Sequence, residues 1–165
     1  MKKIMLMILV VLCFASLISA QGILTNEARP SLGFVTGANT FGSAGIHSQR
    51  FDIRAGFTSA SNDASARTQA TSLFFQGDMK SSLKDGTYFI YGLYFAYASG
   101  QVLGVAIDSV TSYGIATGFQ QEVGSNLLID FVIFPVALSN TKSGSTSVNA
   151  TAFLNGSNIA VSYLF

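Results

Sequence analysis

Asn158-Ile159-Ala160-Val161-Ser162-Tyr163-Leu164-Phe165 decides the fold. Ile159, Val161, Tyr163 and Phe165 fall on one parity, Asn158, Ala160 and Ser162 on the other. Successive side chains of a β-strand point to opposite faces, so this octet reads as a strand that is apolar on one side only. It runs to Phe165 with no polar tail, although the last residues of a soluble domain are usually frayed and dispensable.

Working back from this strand, similar runs recur between clusters of Gly, Ser, Asn and Asp. Candidate strands lie at 31–41, 50–59, 67–80, 86–98, 102–119, 126–139, 145–154 and 157–165. Eight is an even number and the smallest count that closes a transmembrane barrel. At ~9–11 residues per crossing, eight strands need roughly 80 residues. Phe51, Ile53, Ala55 and Phe57 oppose Asp52, Arg54, Gly56 and Thr58, while Leu73, Phe75 and Met79 oppose Ser72, Gln76, Asp78 and Lys80. Phe89, Tyr91, Leu93, Phe95 and Tyr97 share a parity, as do Leu103, Val105, Ile107, Tyr113, Ile115 and Phe119. Ile129, Phe131 and Ile133 oppose Asp130, with Phe134 breaking the polarity of that face. Asp52, Arg54, Asp78, Lys80, Asp108 and Asp130 all share the side of the small residues. The expectation is an all-β, antiparallel, up-and-down transmembrane β-barrel, with these six residues as a charge cluster in its interior.

A water-soluble barrel binding an apolar ligand inverts the faces, and alternation alone does not separate the two. Large aromatics on nearly every apolar face match the girdles at membrane interfaces. Gly, Ala and Ser on the opposite faces suit a narrow lumen better than a solvent surface. The lack of Trp counts the other way. A helical reading draws on Tyr88–Ile107, which is uncharged, but Ser99-Gly100-Gln101 interrupts it as a turn.

At the other end, Lys2 and Lys3 precede an apolar core from Ile4 to Leu17, and Ser16, Ser19 and Ala20 supply small residues before Gln21. This reads as a cleaved signal peptide over 1–20, its core shorter than the ~20 residues of a span. A lipoprotein reading would use Cys13, but Val11 and Leu12 precede it where small residues belong. Removal of 1–20 leaves 21–165 as a single domain without cysteine, with seven basic and eight acidic residues. That near balance has no basic tract for nucleic acid. Charged residues make up 10% of the chain, against ~25% in a typical soluble domain, and lipid contact accounts for the shortage.

With export signal and closing strand together, the chain resembles the small eight-stranded bacterial outer-membrane barrels, similar in plan to the membrane domain of outer membrane protein A and its small relatives. The resemblance is carried by Phe165 and the alternate apolar positions Tyr163, Val161 and Ile159. It implies that these four residues form an assembly signal read by the barrel-assembly machinery, after which the strand pairs with the first. Outer-membrane lipid is the other partner implied. Such proteins usually carry long external loops; here Asn155-Gly156 reads as a tight hairpin, and 42–49 and 81–85 as modest connections.

Little chemistry is written elsewhere. His47 is the sole histidine, in a Gly/Ser-rich stretch that reads as a solvated loop. Ser48 beside it could form a lipid-hydrolase pair only through a turn, because adjacent strand residues point apart. One histidine and no mature cysteine give no transition-metal set. Gly42-Ser-Ala-Gly45 lacks the Lys of a phosphate loop, and Asn149-Ala-Thr151 and Asn155-Gly-Ser157 match the glycosylation pattern by chance in a bacterial-looking chain. No cofactor and no catalytic residue are expected. The function read from the residues is an integral outer-membrane barrel with a structural or surface-interaction role. A narrow pore or ion leak through the charged interior is the alternative.

Overall fold

The computed structural model describes residues 28–37, 40–62, 68–102 and 105–165. The expected signal peptide over 1–20, with Cys13, lies outside the described residues. Nine strand segments follow one another: β1 (Arg29–Thr36), β2 (Thr40–His47), β3 (Phe51–Asn62), β4 (Thr68–Lys84), β5 (Thr87–Val102), β6 (Val105–Val123), β7 (Leu127–Ser143), β8 (Thr146–Phe153) and β9 (Ser157–Leu164). Every pairing is antiparallel. Each strand through β7 pairs with the next, and β9 pairs with both β1 and β7, which closes the sheet into a barrel.

The barrel has eight strands because β8 and β9 are halves of one. β9 lies beside Leu127–Ile133 of β7, and β8 continues beside Val136–Ser143. The sequence expectation of a hairpin at Asn155-Gly156 is therefore corrected: the chain passes straight on through a bulge. Three residues, 154–156, face two on β7, Phe134 and Pro135. Leu154 N–H donates to Pro135 O (3.0 Å), Asn155 N–H to Phe134 O (2.9 Å), and Phe134 N–H to Gly156 O (3.1 Å). Pro135 has no N–H to give, so a mid-strand proline is accommodated where the ladder is already irregular. A second shift on the β6 side falls at the same place, between Ile115 and Thr117. It flips the inward parity of β7 from Phe134 to Ala137.

A compensating correction lies at the start. The run 31–41 belongs to two strands, β1 ending at Thr36 and β2 starting at Thr40, and the supposed connection 42–49 contains most of β2. One strand gained and one lost leave eight. The uncharged stretch Tyr88–Ile107 supplies β5 and the start of β6, and among the described residues no helix is long and apolar enough to cross a membrane.

At one end, hereafter the terminal end, the turns 48–50, 85–86 and 124–126 sit with residues 28 and 165. The turns are tight: Ser48 Oγ accepts from the N–H groups of Arg50 and Phe51 (3.2 and 3.1 Å), and Gly86 adopts φ 69° after Asp85. The wall is uneven, with eight residues in β1 and in β2 against 16 to 19 in β4 to β7. At the far end β8 projects with β7 as its one partner strand among the described residues, exposed on both faces over most of its length.

The faces divide by chemistry. Leu93 and Phe34, 68% and 67% exposed, point outward, with Phe75, Met79, Tyr91, Phe95, Ile115, Phe119 and Phe131. Arg54, Asp78 and Asp130 point into the lumen and are buried. An apolar cluster shares that lumen: Tyr94 packs tilted against Phe134 from β5 to β7 with ring centroids 4.4 Å apart, and Phe41 meets Phe74 at 5.8 Å. Inward glycines let the small ring curl, since a Cβ on Gly92 or Gly118 would collide with the backbone of the adjacent strand.

Candidate functional site

Period-two alternation carries a set of polar side chains inward near the terminal end. His47 ends β2, Asp52 and Arg54 begin β3, Gln76, Asp78 and Lys80 lie on β4, Gln120 and Glu122 on β6, and Asp130 on β7. The structure thus brings Asp52, Arg54, Asp78, Lys80 and Asp130 into one buried plug. Asp108 is not part of it. It shares their parity, but β6 outruns the closed wall there; Asp108 is exposed and accepts a hydrogen bond from Gly144 N–H (2.8 Å), holding the β7–β8 turn.

Arg54 is the hub. Its guanidinium pairs with Asp130 Oδ2 and lies 3.6 Å from Asp52 Oδ2. Lys80 Nζ is 3.2 Å from Asp52 Oδ1 and 5.1 Å from the centroid of the Tyr88 ring, a cation–π distance. Gln120 Nε2 donates to Asp52 Oδ2, and Gln76 Nε2 donates to Asp78 Oδ2 (2.6 Å). Charges leave water at high cost unless paired and hydrogen-bonded, and here each charged group has an opposite or polar partner.

The expectation of a solvated loop histidine is also corrected. His47 is on a strand and buried, with Nδ1 2.9 Å from Asp52 Oδ1 and Nε2 3.0 Å from Glu122 Oε1. Lys80 Nζ lies 2.7 Å from Nδ1. Ser48 does not join it: its hydroxyl donates to Phe51 O (3.1 Å) within the turn. Glu122, Gln76 and Gln120 complete the plug. Gln120 and Glu122 share the inward parity of Ala116 and Gly118, and extending the fifth candidate run past 119 would have found them.

The contacts are not confined to neighbouring strands. Around a ring of eight, β2 and β6 are diametrically opposite, and so are β3 and β7. His47–Glu122 spans the first diameter and Arg54–Asp130 the second. Above them the lumen holds Ile90, Ala116, Val132, Tyr94 and Phe134, all buried.

Ile159, Val161, Tyr163 and Phe165, the positions expected to form an assembly signal, all face outward, and Tyr163 packs edge-on against Phe165 at 5.2 Å. β9 is held from both sides. Phe165 N–H donates to Pro30 O (3.0 Å), Leu164 N–H to Asn126 O (2.7 Å), and the Arg29 guanidinium reaches the backbone oxygens of Ser125, Leu164 and Phe165.

No family model matches the chain, and no curated protein matches it. Solved structures do. Outer membrane protein H from P. aeruginosa is 14% identical, with a TM-score of 0.51 over 84% of this chain and 99% of that one. Neisserial surface protein A is 15% identical over 84% and 95%, at 0.47, and the attachment invasion locus protein Ail of Yersinia pestis is 13% identical over 86% and 100%, also at 0.47. The first of these establishes a shared fold: this chain is a closed eight-stranded β-barrel of the small outer-membrane type.

Proposed function

We propose that the protein is an integral outer-membrane barrel with a structural or surface-interaction role. One observation carries the reading: apolar side chains cover the outside of the wall while the charged ones are buried within it. A soluble barrel has the opposite arrangement, and a monomer in water rarely tolerates apolar patches beyond a few hundred Å². In this reading lipid surrounds the belt, the assembly machinery recognises Ile159, Val161, Tyr163 and Phe165, and the terminal end faces the periplasm. The far end then projects outward. The stretch Ser139–Thr151 is rich in Ser, Thr and Asn, and β8 extends about 26 Å at ~3.3 Å per residue. Asn140 Nδ2 donates to Asn149 Oδ1 (2.6 Å) across this ribbon, which stiffens a polar surface suited to external contacts. The packed aromatic rings and the polar plug fill the lumen at two levels, which argues against the narrow-pore alternative.

Membrane fractionation combined with gel migration of boiled and unboiled samples tests the proposal. The expected result is recovery with outer membranes and a mobility shift on boiling. A detergent-free protein whose migration ignores heat would refute it.

A further inference from the structure

A neutral imidazole carries one N–H, yet both ring nitrogens of His47 meet carboxylates, Nδ1 at Asp52 and Nε2 at Glu122. Lys80 resolves the conflict for the neutral ring. Its ammonium donates to Nδ1 across 2.7 Å and to Asp52 Oδ1 across 3.2 Å, while Nε2–H donates to Glu122. A second proton, taken from solvent on the partly exposed Glu122 side, reverses the assignment. Nδ1–H then donates to Asp52, two cations face each other where a donor and an acceptor had been, and Lys80 retreats onto Asp52 and the Tyr88 ring. The same side chains therefore support two hydrogen-bonded states that differ by one proton.

The surroundings determine which state ties the barrel more firmly. The plug around His47 holds Asp52 and Arg54 from β3, Asp78 and Lys80 from β4, Tyr88 from β5, Glu122 from β6 and Asp130 from β7, of which Asp52, Lys80 and Glu122 touch the ring. Against the ring itself stand two carboxylates and one ammonium, so an imidazolium balances the charge. It also turns the His47–Glu122 hydrogen bond, whose acceptor is already ionised, into an ion pair, and this is the bond across the mouth from β2 to β6. We infer that His47 is a proton-operated tie across the terminal-end mouth, tight when the ring is doubly protonated and slack when it is neutral.

The full chain, folded in detergent micelles, tests this by its unfolding rate in guanidinium at about pH 5.5 and about pH 8.5. Wild type is expected to unfold about tenfold faster at the higher pH, as the ion pair across the mouth reverts to a hydrogen bond from a neutral ring. His47→Gln should remove that ratio, and Glu122→Gln should shrink it. Because the chain has a single histidine, its ring-nitrogen NMR signals need no assignment. They should show both nitrogens protonated in acid and the Nε2–H tautomer in alkali, a readout on wild type that stands even if a variant does not fold. A rate ratio near one, a ratio that survives in His47→Gln, or the Nδ1–H tautomer in alkali would each overturn the inference.

Discussion

Replacing Arg54 with Met tests whether the plug is an energetic unit. The guanidinium is almost wholly enclosed, as are the carboxylates it serves: Arg54 is 6% exposed, Asp130 1% and Asp52 3%. Methionine fills much of the volume but removes the charge, so Asp130 loses its pairing cation and Asp52 one of two. Breaking a buried pair from one side costs about 3–5 kcal/mol, because the remaining charge stays desolvated. At ~1.4 kcal/mol per decade this is a two- to nearly four-decade shift in the folding equilibrium. Asp52 keeps Lys80, His47 and Gln120, which places the effect toward the lower part of that range. The double variant Arg54→Met, Asp130→Leu removes both partners and should recover most of the loss, since an apolar pair of similar size often replaces a buried ion pair at no net cost. The assay is reversible guanidinium unfolding in detergent micelles, with the folded fraction read from unboiled gels. If Arg54→Met lay within about 1 kcal/mol of wild type, or if the double variant were the less stable of the two, the plug would not be held by this pair.

The outer surface, the curled wall and the bulge give three more outcomes. Leu93→Arg places a cation on the lipid side and should destabilise the barrel in vesicles by about 2–4 kcal/mol if the residue lies near the midplane, whereas a soluble barrel would tolerate it; vesicle folding titrations distinguish these. Gly118→Val should abolish folded protein on unboiled gels, because its Cβ meets the Phe131 backbone, while Gly42→Ala, with open space around the added atom, should fold like wild type. Deleting Asn155 removes the odd residue at the bulge, and a one-residue slip turns Ile159, Val161 and Tyr163 toward the lumen. That deletion should leave no heat-modifiable band, and a normal band would show that the bulge does not set the register of β9.

The plug was largely legible because parity is simple. Asp52, Arg54, Asp78, Lys80 and Asp130 each sit at an even step within a clear run, and strand geometry converts even steps into one shared face. His47 was hidden for a physical reason: Phe41-Gly-Ser-Ala-Gly-Ile-His47 is so rich in small residues that its alternation has almost no amplitude, and Gly and Ser in a row read as loop. Asp108 misled in the opposite sense. Its parity is right, but parity does not tell where along a strand the neighbouring wall stops. Asn155-Gly156 is a strong hairpin dipeptide, and only the pairing of its flanks with the same strand on either side of Pro135 shows that the chain does not turn. Correct closure with eight strands came from two compensating departures, at Gly37 and at Asn155.

The two diametric contacts also have a mechanical consequence. A ring of hydrogen-bonded strands flattens easily under lateral pressure, as a hoop does, because bending it into an oval changes few bond lengths. Struts across a diameter resist that change directly. The His47–Glu122 and Arg54–Asp130 struts brace two adjacent diameters, β2 to β6 and β3 to β7. Flattening a hoop along one diameter lengthens the perpendicular one, so these struts also hold the diameters from β1 to β5 and from β4 to the last strand, and the mouth beside the seam between β1 and β9 resists an oval in any orientation.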